Sequence, residues 1–274
     1  MPAFRCFPAL HLAGVSIVLI GTLLSWAAAA ASAPACTPFT STEPARVAAV
    51  IDGDTLRLGD GRRIRLIGVN APELHDRSGR AEPGGKAARR LADDFLRGSR
   101  LMLAVGEVRH DRYGRTLAHV WRADGQSLEA ALLAAGLARY VAIPPDLQQL
   151  DCLRASEYRA RTMRIGLWGS GEFAPRAAST LRPGENGFRL LRGRVDAVTR
   201  TRSAWWIEVE GRVALRIAAS DRRYFDATAL QALQGRDVEF RGWLVWRKAG
   251  KQSRTAHPPW QMSLRHPASL NTLD

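Results

Sequence analysis

A chain of 274 residues can form one large domain or two small ones, and its 46% hydrophobic content excludes disorder throughout. The formal net charge is +14: residues 34–182 hold 23 Arg and Lys against 17 Asp and Glu, and residues 183–274 hold 16 against 9. Both parts are therefore basic, which favours a polyanionic partner. A general bias toward arginine would give the same count, so charge alone names no partner.

Residues 1–33 have the order of an export signal. Arg5 is a positive start, Leu10–Leu24 is apolar, and Ala27–Ala33 contains small residues suited to cleavage. An uncleaved anchor is the alternative, because the apolar stretch approaches the roughly 20 residues of a membrane span. The sequence predicts a periplasmic or secreted protein, with membrane contact only if this segment is retained.

The pattern between residues 46 and 168 predicts three strands, a helix, two strands and two helices. The predicted strands, read from alternation and turn residues, are Arg46–Asp52, Thr55–Leu58, Arg62–Ile67, Leu101–Val108 and Thr116–Trp121. The first helix carries apolar residues from Ala88 to Leu96, and the second begins at Leu128. A capping box of Asp146 and Gln149 predicts the start of the third, which reaches about Arg164.

The remainder of the chain reads as a linker followed by a small β-rich domain. Gly169–Gly187 is rich in Gly, Pro, Ser and Ala, as linkers are. Five strands are predicted beyond it, at Phe188–Val198, Ala204–Glu210, Val213–Ala218, Asp237–Val245 and Trp260–Arg265. An OB-like barrel is one arrangement for residues 188–274. Its tryptophans could stack on bases or pack a core, and core packing is favoured.

Cys36 and Cys152 are the two cysteines that remain if residues 1–33 are removed. In an oxidising compartment such a pair is a candidate disulfide. Two free thiols are the alternative. Two cysteines are too few to form a structural zinc site on their own.

Three short motifs place carboxylates and arginines on residues 46–168: Asp52-Gly53-Asp54-Thr55, the segment from Arg65 to Glu73, and the segment from Asp111 to Arg115. Clustered carboxylates suit a hard cation such as Ca²⁺, and the planar guanidinium of arginine suits a phosphate. Taken alone, the first and third motifs are more typical of turns, Arg65 of a solvated strand residue and Glu73 of a surface carboxylate. Their joint occurrence indicates a site that holds a divalent cation and a phosphodiester together.

The order and spacing of these motifs resemble the thermonuclease family, whose type member is staphylococcal nuclease, over about residues 46–168. The resemblance implies an α+β fold with a five-stranded OB-type barrel and three helices. It also implies an endonuclease that hydrolyses DNA and RNA with little sequence preference. The implied organisation is a signal at 1–33, an N-terminal segment at 34–45, the nuclease-like domain at 46–168, a linker at 169–187 and the small β-rich domain at 188–274.

The resemblance also implies a role for each residue of the motifs. Arg65 and Arg115 correspond to the arginines that grip the scissile phosphate, and Glu73 to the glutamate that activates the attacking water. Tyr113 would support Arg115 or contact substrate. The metal ligands would be Asp54, the residue at position 70 and the carbonyl of Ala71, with Ca²⁺ as the expected cofactor.

Position 70 departs from the family, which has an aspartate where this chain has Asn70. An amide keeps a ligand oxygen but loses the negative charge, so weaker Ca²⁺ binding is expected. The leading interpretation is an exported nuclease acting on DNA and RNA. A nucleic-acid-binding module without hydrolysis is the alternative, and a membrane-anchored surface protein is a third. No protein partner is implied.

Overall fold

The computed structural model describes residues 36–74, 79–247 and 257–273. The predicted export signal, residues 1–33, lies outside these ranges. Across the ranges that are described, no helix is both long and apolar enough to cross a membrane.

The first part of the chain builds a six-stranded sheet, in the order β1-β6-β7-β4-β3-β2, with three helices and a separate two-stranded pair, β5 and β8. The elements are β1 (Glu43–Ala45), β2 (Val47–Asp52), β3 (Thr55–Leu58), β4 (Arg63–Leu66), β5 (Val69–Asn70), α1 (Gly85–Leu96), β6 (Leu101–His110), β7 (Thr116–Arg122), α2 (Leu128–Ala134), β8 (Arg139–Tyr140) and α3 (Leu150–Thr162). The longer elements follow the predicted order, and β1, β5 and β8 are short strands that were not predicted. The α+β class is confirmed, and β2, β3, β4, β6 and β7 are the five strands expected for the barrel.

Alternating apolar residues of these strands meet the helices in one core. Ile64 of β4, Leu103 of β6 and Leu132 of α2 are fully buried in it. Small residues on α1 let that helix approach the turn between β2 and β3. A Cβ atom at Gly53 of this turn would lie 2.7 Å from the Cβ of Ala88 on α1. Glycine is therefore required where the Asp-Gly-Asp turn meets the helix.

The third helix begins later than predicted. It starts at Leu150, and its N-cap, Gln149, makes no side-chain capping bond. Asp146 instead accepts a hydrogen bond of 2.7 Å from the backbone N–H of Glu107 on β6. The predicted capping box is wrong because a tertiary contact takes the carboxylate that it required.

The second part of the chain builds a seven-stranded sheet in the order β15-β13-β14-β12-β11-β10-β9, and β13 also pairs with β10. Its elements are β9 (Arg176–Ala177), β10 (Gly187–Arg200), β11 (Ala204–Val209), β12 (Val213–Ala218), α4 (Ala227–Gln231), β13 (Asp237–Trp246), β14 (Trp260–Ser263) and β15 (Leu270–Thr272). The mainly β character is as expected. The predicted linker contains β9, and Phe173 and Leu181 within it are buried. The domain boundaries stay a prediction.

The two sheets lie within one compact unit, Ala33–Asp274. Buried ion pairs join α3 to β13: Arg241 lies 2.6 Å from a carboxylate oxygen of Glu157, and Arg161 binds both oxygens of Glu239. The Arg241 guanidinium also stacks 3.9 Å from the ring centre of Tyr140, whose hydroxyl donates to the carbonyl of Ala268. The nuclease-like part and the C-terminal sheet therefore share buried polar contacts.

A disulfide joins Cys36, near the start of the described chain, to Cys152 on α3. The bond spans 116 residues of sequence, which include all the strands of the first sheet. Cys152 is buried in the first core, and Cys36 packs against it.

Candidate active site

The site begins at the turn between β2 and β3. The carboxylate of Asp52 accepts a 3.2 Å hydrogen bond from the backbone N–H of Asp54, which fixes the turn. Asp54, at the end of this turn, is buried. Thr55 is the direct cross-strand partner of Arg65 on β4, so the register of this hairpin places the guanidinium beside the turn. One nitrogen of Arg65 lies 2.6 Å from Oδ2 of Asp54.

The strand β5 and the residue after it bring two further possible metal-ligand oxygens beside Asp54: the amide oxygen of Asn70 and the carbonyl of Ala71. Oδ2 of Asp54 accepts a 2.6 Å hydrogen bond from the backbone N–H of Ala71. Arg65 donates at 3.1 Å to the amide oxygen of Asn70, and the Asn70 amide donates at 3.4 Å to the carbonyl of Ala71. The three residues expected as metal ligands are therefore adjacent, and Arg65 pairs with two of them.

Arg115 reaches the same turn from the loop between β6 and β7. Asp111 holds it by accepting a 2.8 Å hydrogen bond from its side chain and a 3.0 Å bond from its backbone N–H. Although burial raises the pKa of Asp111, these bonds from Arg115 bring it below its usual value. Arg115 then donates at 3.4 Å to the hydroxyl of Thr55, which donates at 3.2 Å to Asp54. Arg65 and Arg115 thus approach Asp54 from two sides.

Glu73 lies in the loop after β5, and its backbone is fixed where α1 begins. Its carbonyl accepts a 2.8 Å hydrogen bond from the backbone N–H of Glu82, whose carboxylate accepts at 3.1 Å from the backbone N–H of Glu73. A Cβ atom at Gly85 would lie 2.6 Å from the Glu73 carbonyl, so only glycine fits there. Glu73 is exposed as a residue, but partial desolvation of its carboxyl group and the charge of Asp54 raise its pKa.

Three carboxylates are close enough to repel one another at this site. Burial, together with the charges of Asp54 and Glu73, raises the pKa of Asp52 to about 7. Such crowding of negative charge is typical of sites where a cation or a cationic side chain binds.

The donor set fits a hard cation. Asp54 offers a carboxylate, Asn70 an amide oxygen and Ala71 a carbonyl, which are the oxygen types that Ca²⁺ takes. Oδ1 of Asp54 accepts a hydrogen bond from the Thr55 hydroxyl, whereas Oδ2 is engaged by Arg65 and the Ala71 N–H. Within the described ranges, no three His, Cys, Asp or Glu side chains could hold a metal ion by themselves. Amide, backbone and water oxygens would have to complete the shell.

Tyr113 does not line the centre of the site. It is 64% exposed at the tip of the loop, with the Arg112 guanidinium 4.8 Å and the Arg115 guanidinium 5.6 Å from its ring centre. Its hydroxyl accepts a 2.7 Å bond from Arg112. Its position allows contact with a long substrate beside Arg115.

Two supporting residues were not assigned a role from the sequence. Asp111 orients Arg115. The sequence could have indicated this role, because Asp111 is the first residue of the motif that contains Arg115. Glu82 anchors the loop that carries Glu73, and nothing in its polar surroundings in the sequence distinguishes it from a solvated carboxylate.

The comparisons with known proteins agree with this geometry. The family described as Staphylococcal nuclease homologue matches residues 63–170. A thermonuclease of Staphylococcus intermedius is 34% identical over 122 residues, which are 43% of this chain and 72% of the relative. A thermonuclease of Staphylococcus hyicus is 30% identical over 128 residues, 46% of this chain and 75% of the relative. An uncharacterized endonuclease of Escherichia coli O157:H7 is 29% identical over 133 residues, 47% and 80% of the two chains. On the motifs, the fold and these relatives together, the chain belongs to the staphylococcal nuclease homologue family of nucleases.

Proposed function

We propose that the protein is an endonuclease that hydrolyses phosphodiester bonds of DNA and RNA with little sequence preference. The observation that carries the proposal is the linked set of contacts from Arg115 through Thr55 and Asp54 to Arg65. It places two permanent positive charges at one acidic turn, with Glu73 in the adjoining loop. Two guanidinium groups, one from β4 and one from the loop between β6 and β7, suit the two non-bridging oxygens of a phosphodiester.

Each residue has a distinct task in this proposal. Arg65 and Arg115 bind the phosphate oxygens and stabilise the charge that grows on them as water attacks phosphorus. Glu73 orients the water and accepts its proton. Asp111 keeps Arg115 aimed at Thr55. The 5′ oxygen leaves with the electron pair of its bond to phosphorus, so the product carries a 3′-phosphate.

The proposed cofactor is Ca²⁺, held by Asp54, Asn70 and the Ala71 carbonyl. When bound, the cation neutralises phosphate charge and polarises the reacting oxygens. Arg65 pairs with both Asp54 and Asn70. A cation and the Arg65 guanidinium would therefore compete for the same oxygens. This competition and the missing ligand charge at position 70 would both weaken Ca²⁺ binding.

The test of the function is cleavage of single-stranded DNA by the purified protein with Ca²⁺, with Mg²⁺ and with a chelator. Cleavage that requires Ca²⁺ is the expected result. Undiminished cleavage in chelator would support the nuclease assignment and contradict the proposed role of a cation. DNA binding without cleavage in any condition would favour the alternative, a binding module built on the nuclease fold. An Arg115→Ala preparation made in parallel controls for contaminating nucleases.

Asn70→Asp is expected to tighten Ca²⁺ binding by about an order of magnitude, because the second carboxylate adds ligand charge. Isothermal titration calorimetry with Ca²⁺ alone measures this without reference to activity. Asn271→Asp, at an exposed position on β15, adds the same charge elsewhere and is the matched control. An unchanged Ca²⁺ affinity in Asn70→Asp would mean that residue 70 does not face the cation.

We also propose that the protein is exported. The Cys36–Cys152 disulfide suits an oxidising compartment, and the order of charge, apolar residues and alanines in residues 1–33 suits a cleaved signal. Sequencing the N-terminus of protein recovered from the cell exterior or periplasm tests this. The expected start lies after the alanine run, whereas an intact N-terminus in the membrane fraction would indicate an anchor.

A further inference from the structure

One face of the C-terminal sheet is covered for only half of its length. Alternate residues of a strand share a face, so Glu239, Arg241, Trp243 and Val245 of β13 point to the same side. Glu239 and Arg241 are buried under α3. Trp243 is 43% and Val245 is 48% exposed. The cover provided by α3 therefore ends midway along β13.

The uncovered half continues across the neighbouring strands. Val245 pairs with Gln261 on β14, and two residues further along β14 Ser263 pairs with Arg216 on β12. Arg216 in turn pairs with Trp206 on β11. Directly paired residues share a face. These residues define a surface that we name the open face: Trp206, Arg216, Trp243, Val245, Gln261 and Ser263.

The open face combines aromatic rings with positive charge. The ring of Trp206 stacks on His257 with their centres 3.9 Å apart, and the Arg216 guanidinium lies 5.9 Å from the Trp206 ring centre. Glu208 is the neighbouring carboxylate on this side, and it is engaged by His257 Nδ1 at 3.0 Å. Residues 183–274 carry 16 basic against 9 acidic residues, a net charge of +7 that complements phosphate.

Contacts through the interior connect the open face to the active site. Trp243 packs edge-on against Phe188, with ring centres 5.1 Å apart. The Phe188 ring lies 4.7 Å from the Arg139 guanidinium, and Arg139 on β8 is the cross-strand partner of Asn70 on β5. These contacts pass through Phe188, which is 6% exposed, so they link the two regions inside the protein.

We propose that the open face binds single-stranded nucleic acid, extending the strand that the active site holds. One base stacks on Trp243, another packs against the stacked pair of Trp206 and His257, and Arg216 contacts a phosphate between them. Aromatic rings beside arginine are the groups with which proteins hold single strands without reading sequence. The two tryptophans are three strand spacings apart, about 14 Å, which leaves room for a nucleotide between them. Because the bound strand is taken to be the substrate, this inference rests on the proposed function.

The test measures binding by fluorescence anisotropy, using the full chain with Glu73→Gln so that the probe is not consumed. The long probe is labelled oligothymidylate of about 20 nucleotides, and the short probe has about three, enough for the active site alone. Trp206→Ala and Trp243→Ala are each expected to weaken binding of the long probe by at least about fivefold. Neither changes binding of the short probe.

Matched variants make the result specific. Tyr158→Ala removes an exposed ring on α3 that is not part of the open face, and it leaves long-probe affinity unchanged. Trp206→Phe keeps a stacking ring and retains most of the affinity. Thermal melting shows that each variant is folded.

Two results would overturn the inference. Unchanged long-probe affinity in both tryptophan variants would mean that the open face serves another partner, such as a protein or a lipid surface. Equal weakening for both probes would mean that the substitutions damage the active site. Failure of the nuclease proposal is a separate result: wild-type protein would bind the long probe through these tryptophans yet cleave no DNA.

Discussion

Arg115→Ala is expected to lower turnover on single-stranded DNA by about 10²–10³-fold, the usual loss when one donor to the developing charge is removed. Arg115 is held by Asp111 and aimed at the Thr55 hydroxyl, so its guanidinium is pre-positioned toward the acidic turn. Binding of duplex DNA is expected to change much less, because many other arginines contribute to the general attraction for phosphate. Single-turnover cleavage rates and equilibrium binding on the same preparations measure the two effects.

Arg112→Ala is the matched control for this prediction. Arg112 is three residues away in the same loop and carries the same charge, but it is exposed and contacts Tyr113 rather than Thr55. Its removal is expected to change turnover by less than about fivefold, since rim charges act mainly through association. Equal losses of turnover in the two variants would mean that Arg115 acts only through its general positive charge. An undiminished rate in Arg115→Ala would contradict the assignment of Arg115 to the site.

Arg241→Ala is expected to lower the free energy of unfolding by about 3–5 kcal/mol, because it leaves the buried carboxylate of Glu157 without its charge partner. Arg241 and Glu157 are both 3% exposed, and Arg241 also packs over Tyr140. For a chain of this size the loss corresponds to a fall in melting temperature of about 6–20 °C. Differential scanning calorimetry measures it directly.

Two further variants identify the cause. Arg97→Ala removes an arginine from the exposed ion pairs with Asp93 and Asp94 and is expected to cost less than about 1 kcal/mol. Replacing both charged residues, with Arg241→Met and Glu157→Leu together, is expected to recover part of the loss, because the unpaired carboxylate is removed while Arg139 and the Tyr140 N–H lose Glu157 as a partner. If the double variant is no more stable than Arg241→Ala, lost packing rather than the unpaired charge is responsible.

Much of the strand pattern could be predicted because it is local. Thr55–Leu58 and Val213–Ala218 have the bounds that alternation and turn residues predicted, and α1 ends at Leu96 just before Gly98. Short elements were missed. β5 and β8 have two residues each, and they form because Val69 and Asn70 meet Arg139 and Tyr140 from a distant part of the chain. No periodicity exists over two residues, so their pairing could not be predicted.

The candidate site residues could be named from the motifs, whereas their contacts could not. The sequence places Arg65 and Asn70 in one motif, but only the fold shows that the guanidinium pairs with both Asp54 and Asn70. Asp146 shows the same limit, because its bond to the Glu107 backbone overrides a local capping signal. The pairing of Arg241 with Glu157 joins residues 84 positions apart, and nothing in either segment indicates the other. Contacts between side chains that are distant in the sequence cannot be predicted from local sequence patterns.

The Cys36–Cys152 disulfide determines what a single proteolytic cut does to the protein. Asp54, Arg65, Glu73 and Arg115 all lie between the two cysteines. A single cut of the backbone anywhere in that interval leaves two fragments that remain covalently joined, with neither able to diffuse away. A protein nicked once in an exposed loop, such as the tip at Tyr113, therefore migrates as one species until reductant is added, and its two pieces stay at the high local concentration that favours reassembly.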